Sequence, residues 1–314
     1  MNEAMVAQVR RFNRVVTQRV GALNDHYLAR DRPLGEARVL WEIGERGCDV
    51  RRLRSRLDLD SGYLSRLLRT LEADRLITVG PREDDRRVRT ALLTNTGAAE
   101  RAVLDHRSDE LARSLLEPLT DAQRRRLVSA MGEVERLLTA ALVEVDTIDP
   151  AHRHAQHCLR EYFAELNRRF EAGFDPASSL SVELDELRPP GGLFVVATLR
   201  AEPIGCGAVR FHGDAPAELK RMWVAPSARG LGIGRRLLAE LEARAAANGA
   251  RAVRLDTNRS LTEAINLYRS AGYREVNPFN AEPYAHHWFE KRLPAAGARR
   301  DQQRVSAGGG ATVK

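Results

Sequence analysis

Cysteine is scarce in this chain of 314 residues, and its three cysteines, Cys48, Cys158 and Cys206, lie far apart in sequence. The chain contains no Cys-x-x-Cys pair and no Cys/His ligand spacing, so neither a disulfide framework nor a zinc site is indicated. We expect these thiols to be buried and free. A group of histidines at 152, 154 and 157 lies in a linker-like stretch, which favours solvated side chains over a metal site. No metal is therefore expected.

Long apolar runs are also missing. No apolar stretch reaches the roughly 18 residues at which a membrane helix is considered. The N-terminus, Met1-Asn2-Glu3, lacks the basic and then apolar segments of a secretory signal. We therefore expect a cytoplasmic protein without a membrane partner.

The composition allows two folded domains. The length exceeds that of one ordinary domain, and an apolar content of 43% can supply two cores. The net charge of +7 permits nucleic-acid binding without establishing it.

The most informative stretch is a glycine-rich turn, Arg229-Gly230-Leu231-Gly232-Ile233-Gly234. It follows a strand-like run, Met222-Trp223-Val224, and precedes a helical pattern from Arg235 to Ala247. Such a turn exposes backbone N–H groups at a helix N-terminus, where the helix dipole favours phosphate. No Lys-Ser or Lys-Thr pair follows, which excludes a P-loop. The glycine spacing and the absence of a following βαβ unit argue against a dinucleotide fingerprint.

This turn resembles the pyrophosphate loop of the GNAT acetyltransferases, which bind acetyl-CoA. The stretch from Ala264 to Tyr273 resembles a second signature of that family, a helix that ends at a glycine and precedes a strand. The spacing between the two signatures fits one helix and one strand, Ala252 to Thr257. The resemblance implies an α/β fold with a mixed, mostly antiparallel sheet, acetyl-CoA as cosubstrate and an amine as acceptor.

The same resemblance implies residue roles for cofactor binding. The glycine turn would hold the pyrophosphate through backbone N–H groups, and Arg229 would add charge. The preceding strand would run alongside pantetheine, and a bulge near it would present an N–H to the acetyl oxygen. Asn258 would contact the cofactor or cap a turn. The expected cofactor-binding residues are Met222, Trp223, Val224, Arg229, Gly230, Leu231, Gly232, Ile233, Gly234, Asn258 and Asn266.

Acetyl transfer to an amine also needs a neutral amine and a protonated leaving thiolate. Tyr268 occupies the tyrosine position of the family and is the expected general acid; the alternative is a packed core aromatic. Glu218 precedes the strand and is the expected general base, directly or through water; the alternative is a surface glutamate. His286, His287 and Glu290 are reserve candidates for substrate contact.

The acceptor itself is not specified by the sequence. In this fold the acceptor is bound by the early helix and the late loop, here residues 158–180 and 277–286. Their mixed polar and aromatic character favours a small amine or an amino acid over a protein lysine.

The first 145 residues have helical periodicity interrupted by one hairpin. Apolar residues that repeat every three or four positions predict helices, and a change to alternation predicts the strands of the hairpin. The predicted helices cover 5–23, 37–44, 50–57 and a leucine-faced segment after Asp60, followed by strands over 76–79 and 88–93 and two long helices that end near 116 and 143. Asp49 is the expected cap of the helix over 50–57, and Asn95 or Thr96 is the expected cap of the first long helix.

This order resembles the MarR family of winged helix-turn-helix regulators. Its most specific features are Ser65 to Glu72, the wing Asp85 to Arg89, and Leu93 to Gly97. The resemblance implies binding to double-stranded DNA, with a recognition helix in the major groove and a wing arginine in the minor groove. Tyr63 would contact DNA or pack under the wing. The expected DNA-binding residues are Ser61, Tyr63, Ser65, Arg66, Arg69, Arg86 and Arg87.

Apolar stripes at 5–23 and 127–142 predict a homodimer and hence a palindromic operator. We predict a MarR-like domain over 1–145, a GNAT domain over 146–294 and a disordered tail over 295–314. Residues 145–150 are either a linker or the first strand of the second domain. The sequence predicts a regulator fused to an acetyltransferase; the alternative is a regulator whose second half only senses CoA or a metabolite.

Overall fold

A computed structural model describes residues 2–24, 26–82, 87–180 and 183–294. The chain divides into two compact units, Met1–Gly132 and Glu133–Lys314. The predicted boundary at 145 and 146 lies further along the chain and stays a prediction, and the predicted tail at 295–314 lies outside the described residues. Over the described ranges, no helix combines the length and the apolar character needed to cross a bilayer.

The first unit combines helices with one small antiparallel sheet in the order β1-β3-β2. This arrangement confirms the predicted succession of helices, a hairpin and two long helices. The elements are α1 (Glu3–Arg19), α2 (Leu34–Ile43), β1 (Cys48–Asp49), α3 (Val50–Leu57), α4 (Ser61–Ala73), β2 (Ile77–Pro81), β3 (Arg89–Leu93), α5 (Asn95–Leu116) and α6 (Asp121–Ala141), the last of which continues past the unit boundary.

Side-chain caps begin several of these helices. Asp49 caps α3, as predicted, by accepting hydrogen bonds from two backbone N–H groups of its first turn. The cap of α5 is Thr94 rather than Asn95 or Thr96, because the Thr94 side chain accepts the Gly97 N–H at 3.0 Å.

Two helices of this region carry apolar faces that the chain leaves in solvent. Neither α1 nor α6 buries a single residue completely. Met5 and Phe12 on α1 are exposed, as are Leu137 and Leu138 on α6. Large exposed apolar faces of this kind are typical of protein interfaces.

The second unit is built on a seven-stranded sheet in the order β4-β5-β6-β7-β8-β10-β9. Among the strands that the structure describes, only β7 and β8 pair in parallel, so the sheet is mixed and mostly antiparallel, which confirms the predicted fold class. The elements are β4 (Val143–Thr147), α7 (Arg153–Arg169), β5 (Gly192–Leu199), β6 (Glu202–His212), β7 (Ala215–Val224), α8 (Ile233–Ala247), β8 (Ala252–Thr257), α9 (Thr262–Ser270), β9 (Arg274–Glu275) and β10 (His287–Arg292).

The join between the two halves is a strand and not a linker. Val143 of β4 pairs with Leu199 of β5, and Thr147 pairs with Val195, in antiparallel register. The structure therefore selects the second of the two alternatives that the sequence left open.

Helices cover both faces of the large sheet, and strand alternation decides which residues meet them. Along β5, Val195 and Ala197 belong to the core that includes Leu237 and Leu241 of α8. Their neighbours Phe194 and Val196 belong to the core that includes Cys158 and Leu159 of α7. All three cysteines of the chain are free and buried, as expected.

Candidate functional site

The predicted glycine turn lies between β7 and α8. Gly230 and Gly232 have φ values of 82° and 76°, a left-handed conformation that side chains strain. Gly232 is the N-cap of α8 and offers no capping side chain. The N–H groups of the first helical turn have no partner within the helix, so they are available to an anion.

A large cavity of about 500 Å³ opens at this turn. Most residues predicted for cofactor binding line it, together with side chains of α7 and α9. Leu231 packs against the core of the unit instead. The predicted residues that line the large cavity are Met222, Trp223, Val224, Arg229, Gly230, Gly232, Ile233 and Gly234.

Arg229 is held by a carboxylate that the sequence did not predict. Its Nη2 atom donates to both oxygens of Glu165 at 2.6 Å. Glu165 lies on α7, is buried, and also accepts the indole N–H of Trp223 at 3.0 Å. Arg169 Nη1 contacts the same carboxylate at 3.3 Å. Glu165 therefore joins the start of the glycine turn, β7 and α7 at the edge of the large cavity.

β7 contains a bulge at residues that line the cavities. The pairing with β6 passes from Cys206–Trp223 to Ala208–Lys220, which leaves an extra residue on β7. Within this bulge Arg221 has a φ of 57°. The parallel register between β7 and β8 covers Ala217 and Glu218 of β7 and does not reach the bulge.

A small cavity of about 90 Å³ adjoins the large one. The predicted acceptor segments contribute much of its wall, and β7 and β8 contribute charged side chains. Six residues line both cavities: Tyr162, Leu166, Met222, Leu261, Ala264 and Tyr268. The further aromatic and charged residues of the small cavity are Phe170, Phe174, Tyr284, Lys220, Arg221, Asp256 and Glu282.

Tyr268, the predicted acid, lies on α9 at the junction of the two cavities. It is buried, and its ring packs near Tyr273 and Phe289 at centroid distances of 5.8 and 6.1 Å. Burial raises the pKa of Tyr268 above its ordinary value, and the carboxylate of Asp256 acts in the same direction. The phenol is therefore protonated at neutral pH and can donate a proton.

Glu218, the predicted base, is buried behind the small cavity and does not line it. Its carboxylate contacts Lys220 Nζ at 3.1 Å and His212 Nε2 at 3.2 Å. Burial acts to raise the pKa of Glu218, but Lys220 and His212 outweigh it and lower the pKa. A lowered pKa weakens a carboxylate as a base. The assignment of Glu218 stays a prediction.

Lys220 connects Glu218 to a second carboxylate that does line the small cavity. Its Nζ atom lies 2.7 Å from Oδ1 of Asp256. Burial acts to lower the pKa of Lys220, but Asp256 and Glu218 outweigh it and raise the pKa. Asn280 also donates to Asp256, at 3.1 Å. The late loop is thereby fixed to the charged residues of β7 and β8.

The remaining predicted residues of this unit have local contacts. Asn258 caps a turn through its Oδ1 atom, which accepts the Ser260 N–H at 2.9 Å, and lines the small cavity. Its amide nitrogen donates to the carbonyl of Tyr284 in the late loop at 2.7 Å. Asn266 is exposed and is not among the residues that line either cavity. Its cofactor contact stays a prediction.

The reserve candidates near the C-terminal strand line neither cavity. The ring of His287 contacts Glu275 at 2.6 Å. The His286 N–H donates to the carbonyl of Thr257 at 2.9 Å. Glu290 lies in β10, where it pairs with Arg254 of β8.

The predicted recognition helix is α4. Its leucines at 64, 67, 68 and 71 are buried, and Ser61, Tyr63, Ser65, Arg66 and Arg69 are all exposed. Asp60 caps the helix by accepting the Tyr63 N–H at 2.8 Å. The Arg66 guanidinium lies 5.7 Å from the centre of the Tyr63 ring. The helix therefore presents a polar and basic face to solvent.

The wing is only partly described. Arg87 is exposed at the start of the described part that leads into β3, whereas Arg86 lies outside the described residues. The Tyr63 hydroxyl lies close to α2, since a Cβ atom at Gly35 would be 2.9 Å from it. The DNA-binding roles of all these residues stay predictions.

Comparisons with known proteins identify two families in the chain. The acetyltransferase (GNAT) family model matches residues 159–273, and the MarR family model matches residues 31–88. An IAA acetyltransferase of Azospirillum brasilense is 35% identical over 130 residues, which cover 41% of this chain and 84% of that protein.

Two further proteins are similar to part of this chain. An N-acetyltransferase of Schizosaccharomyces pombe is 35% identical over 97 residues, which cover 30% of this chain and 60% of that protein. A solved GNAT-family acetyltransferase from Staphylococcus aureus Mu50 is 20% identical with a TM-score of 0.42, covering 48% of this chain and 100% of that one. The chain belongs to the GNAT acetyltransferase family, and it carries a MarR-family domain ahead of the acetyltransferase domain.

Proposed function

We propose that this protein is a DNA-binding regulator that also transfers the acetyl group of acetyl-CoA to an amine. The observation that carries the enzymatic part is the meeting of two cavities at Tyr268. The large cavity begins at a glycine turn suited to pyrophosphate, and the small one has space for a compact acceptor.

The glycine turn and the bulge bind different parts of acetyl-CoA. Backbone N–H groups from Gly230 to Gly234 bind the pyrophosphate, and Arg229 adds positive charge beside them. The backbone of Met222 to Val224 pairs with the pantetheine arm. An N–H at the bulge polarises the thioester carbonyl, because a fixed donor stabilises the charge that develops on that oxygen.

The chemical step is a direct attack by the neutral amine on the thioester carbon. As the C–S bond breaks, Tyr268 donates its hydroxyl proton to the leaving sulfur. The amine loses its own proton to Asp256, directly or through water, because Asp256 is one of the two carboxylates that line the small cavity, and the other, Glu282, already accepts hydrogen bonds from three neighbouring donors. Glu218 acts indirectly, through Lys220, whose ammonium group contacts the carboxylates of both Glu218 and Asp256. A general acid or base of this kind is worth about 100-fold or more in rate.

A small amine or an amino acid suits the acceptor cavity better than a protein lysine does. The small cavity has a volume of about 90 Å³ and a mixed aromatic and charged wall. The alternative function is a regulator that senses CoA or a metabolite without turnover. Turnover is favoured because Tyr268 lines both cavities, and a pure sensor does not need a proton donor at their junction.

The MarR-family unit is proposed to bind double-stranded DNA through α4. Its exposed serine, tyrosine and arginine side chains can contact phosphates and bases in a major groove. The exposed apolar faces of α1 and α6 support a homodimer, and the two-fold symmetry of a dimer predicts a palindromic operator.

Two measurements on the full-length chain test the enzymatic proposal. Calorimetry with acetyl-CoA measures binding, and release of free CoA thiol across a panel of primary amines measures turnover. Binding with turnover on at least one amine supports the proposal. Binding without turnover on any amine supports the sensor, and absence of binding contradicts both.

A further inference from the structure

The small cavity has a specific distribution of charge, and this distribution identifies an acceptor class; the inference rests on the proposed acetyltransferase function. Four charged residues line the cavity: Lys220, Arg221, Asp256 and Glu282. Lys220 and Asp256 neutralise each other at 2.7 Å. What remains for a ligand is one guanidinium, on Arg221, and one carboxylate, on Glu282.

Arg221 is directed towards aromatic rings. Its guanidinium carbon lies 4.8 Å from the centre of the Phe163 ring and 5.9 Å from that of Tyr162. Over the described parts of the chain, no carboxylate forms an ion pair with it. Its backbone has a φ of 57° inside a strand, a conformation that costs energy for a residue with a side chain. A residue in a strained conformation at the wall of the small cavity, with a guanidinium that pairs with no described carboxylate, is suited to an anionic ligand group.

Glu282 has the opposite character. Glu282 is 8% exposed. Its carboxylate accepts hydrogen bonds from Ser179 Oγ at 2.9 Å, Leu180 N at 2.8 Å and Tyr284 N at 3.2 Å. These donors are neutral, so they fix the carboxylate without cancelling its charge. A buried carboxylate held in this way has a strong tendency to accept a cation.

Another part of the wall of the small cavity is aromatic. Phe170 and Phe174 contact each other with centroids 5.7 Å apart, and Tyr284 lies 4.8 Å from Phe174 and 5.7 Å from Phe170. Phe163 stacks on Phe174 at 5.8 Å with an interplanar angle of 11°. Rings grouped in this way bind an apolar side chain and exclude water.

We infer that the acceptor is an α-amino acid with an apolar side chain. Arg221 binds its carboxylate, Glu282 receives its ammonium group on entry, and the aromatic wall contacts its side chain. The guanidinium fork matches a carboxylate in two hydrogen bonds, which a lysine does not reproduce. The ammonium group gives one proton to water before the neutral amine attacks the thioester, and the nitrogen gives its second proton to Asp256 as the C–N bond forms and the C–S bond breaks.

The experiment compares amino acids with the amines that lack only the carboxylate. Full-length protein is assayed for acetyl transfer to L-leucine and 3-methylbutylamine, and to L-phenylalanine and 2-phenylethylamine. We expect the wild type to prefer each amino acid. In R221M the preference, measured as the ratio of kcat/KM for each amino acid to kcat/KM for its matched amine, falls by about 100-fold, through a higher KM for the amino acids.

Two further variants test the role of Arg221. R221K retains the charge without the fork and is expected to recover part of the loss. R210M is the control: Arg210 lies on β6, pairs with Glu186 at 2.7 Å and lines neither cavity, so it should leave the preference unchanged. The affinity of R221M for acetyl-CoA, measured by calorimetry, should equal that of the wild type, which shows that the fold is intact.

The outcomes separate this inference from the function on which it rests. If the wild type acetylates the amines as well as the amino acids, or if R221M keeps the preference, the amino-acid inference is wrong and acetyltransferase activity stands. If the wild type acetylates other primary amines but none of these four compounds, the inference is also wrong. If no amine is acetylated at all, both the function and the inference fail.

Discussion

Arginines serve the two halves of this protein in opposite settings. On α4, Arg66 and Arg69 are exposed on a helix face whose other side is a leucine core. In the second unit, Arg221 and Arg229 lie against buried rings or a buried carboxylate at the walls of two cavities. An exposed arginine attracts a polyanion of any sequence, and its effect is screened by salt. A cavity arginine acts in a poorly hydrated space, where geometry selects one small ligand.

Charges in these two settings also differ in their contribution to the free energy of folding. Solvated ion pairs contribute little to stability, whereas a buried charge that loses its partner is costly. We therefore expect changes around the cavities to have large effects on a single ligand, and changes on α4 to have small and salt-dependent effects.

The glycine turn should be the most sensitive feature. Gly232→Val forces a side chain into a left-handed position at the edge of the large cavity, and we expect affinity for acetyl-CoA to fall by more than about 100-fold. The control is Gly213→Val, in the turn between β6 and β7, where φ is 61° and a Cβ atom would also meet open space. Calorimetry on both variants measures the difference. Equal losses would mean that backbone strain alone, and not the ligand, explains the effect.

Tyr268→Phe removes the proposed proton donor. We expect kcat to fall by about 100-fold while affinity for acetyl-CoA is unchanged. The control is Tyr273→Phe, because Tyr273 is buried beside Tyr268 but lines neither cavity. Because burial raises the pKa of Tyr268, the phenol stays protonated through mildly alkaline pH. Deprotonation of Tyr268 should therefore not lower kcat in that pH range. A Tyr268→Phe variant with wild-type kcat would remove Tyr268 from the mechanism.

In the first unit, Glu100 provides the corresponding test of a buried charge. It is buried on α5, and its carboxylate accepts from Arg30 Nε at 3.0 Å and Nη2 at 2.5 Å. We expect Glu100→Gln to destabilise this unit by about 2 kcal/mol, less than a fully buried pair because Arg30 is partly exposed. Glu110→Gln, at an exposed position of the same helix, is the control. Hydrogen exchange of α5 in the full-length chain measures the change.

The pH dependence of that unit follows from the same contact. The hydrogen bond from Arg30 lowers the pKa of Glu100, although burial opposes it. A lowered pKa in the folded state means that the stabilisation is present above the unfolded value of about 4.3 and is lost as pH falls below it. Exchange of α5 should therefore accelerate on acidification in the wild type and change less in Glu100→Gln. An identical acid response in both proteins would contradict this assignment.

The smallest expected effect concerns a single exposed arginine. Arg66→Gln should weaken binding to the promoter DNA upstream of the gene by about 1–2 kcal/mol and reduce the salt dependence by about one charge. Arg125→Gln, at an exposed position of α6, is the matched control. Fluorescence anisotropy over a series of salt concentrations provides both quantities. If Arg66→Gln and Arg125→Gln behave alike, α4 is not the recognition helix.

The sequence predicted local structure well because local structure follows from periodicity and caps. The leucine face of α4 is buried as its spacing indicates, and the strand predicted from Ala252 to Thr257 is β8. Very short elements escaped notice, as β1 shows, because two residues carry no periodicity. The cap of α5 is displaced by one residue because Thr94 also donates to the carbonyl of Arg75, a contact between distant segments.

The cavity contacts were less predictable because they join residues far apart in the chain. Nothing near Arg229 in sequence indicates Glu165, and nothing near Lys220 indicates Asp256. The expected base, Glu218, lies on β7 two residues before Lys220 and on the same face of the strand, yet only Lys220 of the two lines the small cavity. A charged side chain in an otherwise apolar helix face, as at Glu165 on α7, is the one sequence signal that could have indicated a buried partner.

The central claim is that backbone N–H groups at the start of α8 bind the pyrophosphate of acetyl-CoA. Calorimetric titration of the full-length protein and of Gly232→Val with acetyl-CoA, and separately with S-acetylpantetheine, which lacks the pyrophosphate together with the adenosine 3′-phosphate, tests it directly. The account predicts that the wild type binds acetyl-CoA at least about 100-fold more tightly, a difference that Gly232→Val loses, because several charge-assisted hydrogen bonds are lost with the pyrophosphate. Equal affinities of the wild type for the two compounds, or no binding of acetyl-CoA, would contradict it.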